Sequence, residues 1–209
     1  MKHEWRKKEK KLYLPKNKPE LINVPEQQFL TIEGEGNPNS KFFPEYIGVL
    51  YALSYAIKMT LKKGNKVADY MDYTVYPLEG IWDITEEAKK RYQGTIDKND
   101  LVFKLMIRQP DFVNESFVEE MMVLTKKKKP HNLLEKIKFE KITDGNCIQM
   151  LHLGSYDNEA DSFKVMEAFA AKESLCRPSK IHREIYLSDF RKVAPEKLKT
   201  VLRFKVSNR

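Results

Sequence analysis

One succession of elements occurs twice along this chain, and that repeat restricts the fold more than any single motif does. "QQFLTIEGEG" at 27–36 reads as a strand ending in glycine, followed by a loop and a long helix that Pro44 opens and that runs to about Lys63. "CIQMLHLGSY" at 147–156 reads as a strand ending at Gly154, then a helix from an Asp157 cap to about Lys172. Glu159 and Asp161 fall in the first turn of that helix, where negative charge is favoured. Two strand-like stretches follow each helix: "VADYMDYTVYPL" (67–78) and "LVFKLMIRQ" (101–109) after the first, "KIHREIYLSD" (180–189) and "KLKTVLRFKV" (197–206) after the second. The spacing predicts a joining helix near 114–125, and Gly64-Asn65 and Gly145-Asn146 are turn signals at the unit edges.

Strand, helix, strand, strand, written twice, predicts an α+β fold: a tandem βαββ pseudo-dimer with antiparallel sheets around a central ligand cleft. The halves are placed at about 27–110 and 139–206, within one domain at 21–209, behind a basic N-terminal arm of residues 1–20. A chain of 209 residues has room for such a core.

The net charge of +8 raises the question of nucleic acid. Residues 1–20 hold eight basic side chains against three acidic ones, so +5 of it lies in the arm and +3 is spread over the other 189 residues. The arm is too short for a helix-turn-helix, and Lys126–Lys129 follow a helical pattern whose C-terminus favours cations. Both read as solvated surface, with no specific nucleic-acid partner expected. No apolar run reaches the roughly 18–20 residues that cross a bilayer, so no membrane partner is expected either. The charged start carries no secretory signal, and Cys147 and Cys176 form no metal or redox spacing, which together point to the cytoplasm. The sequence assigns no oligomeric state.

The standard phosphate-binding, nucleophile-elbow and zinc-protease signatures are missing, and the four histidines lack ligand spacing, so neither a metal nor a cofactor is expected. What stands out is rings near carboxylates. Tyr51 and Tyr55 lie at i, i+4 on the flank of the first helix; "YPLEGIWDI" brings Tyr76, Glu79, Trp82 and Asp83; "HLGSYD" brings His152 and Tyr156. In "KIHREIYLSDF", period two sends Ile181, Arg183, Ile185 and Leu187 to a core-facing side, and His182, Glu184, Tyr186 and Ser188 to the other. Each of these residues alone has an ordinary place at a core rim or in solvent. Brought together in a cleft they suit flat apolar or cationic molecules, through stacking, cation–π attraction and a desolvated carboxylate.

"HREIYLSDFRKVAPEKLKTVLRF", "LYLPKNKPELINVPEQQFLTIEGEGNPN", "YPLEGIWDI" and "MLHLGSYDNE" resemble the GyrI-like small-molecule-binding family over nearly the whole chain. The resemblance implies paired SH2-like split-barrel repeats. It implies either an effector-binding module, as in multidrug-sensing regulators, or a stand-alone member. The regulators carry a separate DNA-binding domain that has no counterpart here, so the likeness is to the stand-alone branch. Some of those hydrolyse the cyclopropane of DNA-alkylating cyclopropanoid natural products, a detoxification. By the resemblance, Glu184 matches the pocket glutamate and is the catalytic candidate, and Trp82, Tyr156 and Tyr186 match ligand-binding positions. Tyr51, Tyr55 and Glu79 join the ligand-binding candidates from spacing alone. The expected partner is a small-molecule xenobiotic. A non-catalytic multidrug-binding or sensor module, or an interaction protein modulating gyrase, stands as the alternative.

Overall fold

The computed structural model describes residues 2–64 and 67–208. In chain order it contains α1 (Trp5–Lys8), α2 (Lys10–Tyr13), β1 (Glu20–Val24), β2 (Gln27–Glu35), α3 (Phe43–Lys62), β3 (Leu78–Ile84), α4 (Glu86–Arg91) and β4 (Leu101–Gln109). There follow α5 (Glu115–Lys128), β5 (Lys138–Ile142), β6 (Gly145–Leu153), α6 (Glu159–Lys172), β7 (Leu175–Cys176), β8 (His182–Tyr186), β9 (Lys199–Lys205) and β10 (Ser207–Asn208). The fold is α+β, and the strand–helix–strand–strand order occurs twice, as β2-α3-β3-β4 and β6-α6-β8-β9 with the short β7 after α6. Among the described residues, no helix is long and apolar enough to cross a membrane.

The chain forms two compact units. The first holds residues 27–76 and 82–142, with His3 and Glu4; the second holds 5–26, 77–81 and 143–209, so the chain passes from one to the other inside β3.

In the first unit β2 is flanked by β4 and β5, both antiparallel. Gln27 through Ile32 are all buried, as expected of a strand covered on both faces. Pro44 stands in the first turn of α3, where its missing N–H costs nothing, and Leu50, Leu53, Ile57 and Leu61 form the buried stripe. Asn114 caps α5 by accepting from the Phe117 N–H at 2.9 Å.

In the second unit the order is β1-β6-β9-β8, again antiparallel. Period two on β6 and β9 sends Ile148, Met150, Leu202 and Phe204 to one face, where Met166 and Ala170 of α6 cover them. The other face carries Gln149, Arg183 and Arg203. There the Gln149 amide donates to the Lys11 carbonyl at 2.7 Å, and Arg203 donates to the Leu12 carbonyl at 2.6 Å.

Several expectations are corrected. The basic arm is not simply solvated surface: Trp5 and Tyr13 are buried at 3% and 2% exposure, and the backbone of α2 satisfies buried polar groups of the sheet. "VADYMDYTVYPL" is not a strand. Asp69 takes a positive φ of 60°, Tyr70 and Tyr73 pack on Phe112, and an isolated bridge joins Tyr73 to His3. Its aromatic residues anchor a loop, and the strand begins at Leu78. Ile181 is 42% exposed and precedes β8 instead of joining the core. Gly34 lies within β2, which runs to Glu35 and ends at the Gly36 turn, with φ +105°. Asn65 of the first turn signal lies outside the described residues.

Candidate functional site

On β8, His182, Glu184 and Tyr186 point to the α6 side of the sheet, while Arg183 and Ile185 point to the side covered by α2. The helix they meet starts where β6 stops. Gly154 takes a φ of +122°, a value only glycine reaches without strain, and reverses the chain; the Ser155 hydroxyl accepts from the Asp157 N–H at 3.3 Å; α6 begins at Glu159. His152 anchors this connection: its Nε2–H donates to the Ser155 carbonyl at 3.0 Å, and its Nδ1 accepts from the Ser162 hydroxyl at 2.9 Å. Both ring nitrogens are thereby engaged in holding the loop.

The result is a cluster of three titratable side chains, Glu159, His182 and Glu184, with ligand atoms within 4.8 Å of one another. His182 donates from Nδ1 to the Lys180 carbonyl at 3.2 Å, which directs Nε2 at Glu184 Oε1, 3.1 Å away. Phe163 of α6 meets the His182 ring edge-on at 4.7 Å. Glu159 and Glu184 are each only 8% exposed. Burial pushes the Glu159 carboxyl well above the usual carboxylate range, and the charge of Glu184 and a hydrogen bond to it push the same way.

Tyr156 and Tyr186 stand edge to face beside this cluster, with ring centroids 5.9 Å apart. The Tyr156 hydroxyl is raised well above its ordinary value, first by burial and then by the negative fields of Glu184, Glu159 and Asp189. Its proton therefore stays on, and the phenol is a hydrogen-bond donor. Asp189 is held down to about 2, chiefly by its hydrogen bond with Arg191.

Of the candidates read from the sequence, Glu184, Tyr156 and Tyr186 are brought together here. Glu79 lies on the other face of the second unit, 1% exposed, 3.4 Å from Arg183, which also meets Asp144 at 3.1 Å. Glu79 and Trp82, three apart on one strand, point to opposite faces. Trp82 is 6% exposed and packed in the first unit against Phe43 and Phe103, at 5.9 and 5.5 Å. Tyr51 and Tyr55 pair with each other at 6.2 Å on α3, and Tyr55 is 51% exposed.

Sequence reading left Glu159 as a helix-end charge and His182 as a strand residue. The signal for Glu159 was its place in the first turn of the helix that follows β6 and the Gly154 turn. The signal for His182 was period two with Glu184.

A family model for the GyrI-like small molecule binding domain matches residues 17–207. A hydrolase from Listeria innocua is 36% identical over 98% of this chain and all of its own, with a TM-score of 0.87. A second structure of a Listeria innocua hydrolase is 37% identical over 99% of this chain and all of its own, at 0.89. The C-terminal domain of EcmrR shares the fold at 13% identity, covering 92% of this chain and 98% of that domain, with a TM-score of 0.52. No curated protein matches the chain.

Proposed function

Because the chain belongs to the GyrI-like small-molecule-binding family, we propose that it binds a flat organic molecule against Tyr156 and Tyr186 and hydrolyses it with Glu184 as the base. The substrate class we assign is a xenobiotic with an electrophilic cyclopropane conjugated to a carbonyl, so that the reaction is a detoxification. The observation that carries this reading is the placement of a nearly buried carboxylate beside an edge-to-face tyrosine pair.

The chemistry asks little of the protein. Strain and conjugation already make the ring carbon electrophilic, so catalysis consists of placing the ligand, orienting a water and taking one proton. Glu184 takes the proton as the water oxygen bonds to the ring carbon. The electron pair of the breaking C–C bond moves into the conjugated carbonyl, whose oxygen gains negative charge and then a proton from solvent. The Tyr156 phenol, kept protonated by its surroundings, offers a hydrogen bond to that charge. Likeness to hydrolases at 36–37% identity supports hydrolysis over sequestration.

The test is to incubate the protein with a spirocyclopropyl cyclohexadienone and follow the water adduct by mass spectrometry. Glu184→Gln keeps the shape and removes the base, and its turnover should fall by about 100- to 10,000-fold. Turnover at the wild-type rate in that variant removes Glu184 from the mechanism; saturable binding without any turnover in the wild type makes the protein a binding module.

A further inference from the structure

We propose that Glu159 and Glu184 hold one proton between them and give it up when a flat organic cation enters, so that the site exchanges a proton for a cation. This rests on the reading of the cluster as a small-molecule site and assigns to Glu159 the part that sets which molecules it accepts.

The geometry carries the proposal. Two carboxyls, each 8% exposed, lie within 4.8 Å of each other. Like charges that close, away from water, do not both ionise at neutral pH unless a cation offsets one of them. One Glu159 oxygen, Oε1, is buried with no hydrogen-bond partner among the described residues, so this carboxyl keeps an unused acceptor in the cluster.

The groups that face Glu159 are Glu184 and His182 from β8, and Asp157 and Tyr156 from the turn before α6. His182 is the one basic side chain of the four, and both its ring nitrogens are engaged, with the Lys180 carbonyl and with Glu184 Oε1; His182→Gln separates any proton it holds from the one held by the carboxyl pair. The same direction follows from the upward displacement of the Glu159 carboxyl by burial and by Glu184. A proton is thus the resident cation of the pair. An organic cation seated on the faces of Tyr156 and Tyr186 would supply its charge to both carboxyls at once and leave the proton redundant. A neutral molecule of the same shape supplies no charge, and the proton stays.

The consequence is a selectivity that depends on pH. Affinity for a cation should rise by up to tenfold per pH unit while Glu159 is protonated in the free protein, whereas affinity for a neutral isostere should not change. The sign is set by mass action: the cation competes with a proton, so fewer protons favour the cation.

The experiment uses the full chain and two probes, N-methylquinolinium and neutral 1-methylnaphthalene, titrated calorimetrically in two buffers of different ionisation enthalpy. The expected result is release of close to one proton on binding the cation and none on binding the hydrocarbon. Glu159→Gln and Glu184→Gln should each abolish the release, while His182→Gln should retain it. Cation binding with no proton released, or release that survives in Glu159→Gln and vanishes in His182→Gln, overturns the exchange and leaves the site reading intact. Failure of both probes to bind overturns the small-molecule site itself, and the exchange with it.

Discussion

The two βαββ units are built to one plan and filled differently. Aligning the glycine turns that end β2 and β6, Gly36 and Gly154, sets Gly34 opposite His152. Aligning "LEGIW" with "HREIY" sets Gly80 opposite Glu184 and Trp82 opposite Tyr186. In the first unit an added Cβ at Gly34 would come within 2.6 Å of the Phe103 ring and 2.8 Å of Tyr46. Those rings continue to Phe43 and Trp82, so the position is filled by packed aromatic rings. In the second unit the same strand position is a histidine that ties down the turn before α6, and β8 offers a carboxylate to the start of that helix. The difference teaches where chemistry sits on a duplicated scaffold. One copy fills the position with rings and gives up polarity, while the other keeps polar groups and has to satisfy them.

The sharpest way to break the comparison is to set two glutamates of the second unit against each other. Glu79→Gln removes one partner of the buried Arg183 and should cost about 3–5 kcal/mol in denaturant unfolding, with ligand affinity unchanged in the molecules still folded. Glu184→Gln, by contrast, should remove turnover and leave the unfolding midpoint nearly unmoved. If both variants lose stability alike, the division between structural and chemical carboxylates fails.

A smaller effect is expected in the first unit. Gly34→Ala should cost about 1–3 kcal/mol by thermal unfolding, because the two rings that meet the new methyl are themselves packed. A neutral result would mean that the aromatic cluster yields easily, and that its rings do not require the glycine.

The smallest effect is the most specific. A carboxyl raised in the folded state favours folding while it is protonated in both states, and that contribution is lost as pH rises through its folded value. Unfolded glutamate titrates near 4.3, so above that pH the wild type loses stability that Glu159→Gln, which does not ionise, retains. The variant should therefore gain on the wild type as pH rises from about 5 to 8 in melting experiments. A gap that stays constant with pH would show that Glu159 is ionised throughout.

Much of the scaffold is legible in the sequence. β2, α3, β4, α5 and α6 announce themselves through apolar runs, a helix-opening proline and charges placed at helix ends. β3 was obscured because the stretch before it is richer in strand-forming residues than the strand itself, which contains Gly80, two acidic residues and Trp82. Tertiary burial of Tyr73 and Tyr76 drew those residues into an anchored loop. β1 and β5, five residues each, lacked the length to show a period.

At the site, Glu184 with its neighbour Tyr186 was visible because alternation within one strand is local information. The pairing of Glu159 with Glu184 was not, since it joins a helix start to a strand and appears only once the α6 turn is folded over β8. Likewise no periodicity distinguishes Glu79, which neutralises Arg183, from a glutamate that faces a ligand.

The edge strands carry a consequence for how the chain is made. β1 precedes the first unit yet closes the sheet of the second, pairing Glu20 with Gln149, while β5 precedes the second unit's repeat yet closes the sheet of the first, pairing Phe29 with Glu140. On the ribosome, β1 emerges while its partner β6 is still untranslated and waits through the synthesis of an entire repeat. Neither repeat can be excised by a single cut without leaving a β-edge bare. Closing so long a loop slows assembly, and an unpaired strand in the interval is an invitation to aggregate. The lysines and arginine that crowd the segment ahead of β1 keep that waiting strand in charged company until its partner arrives.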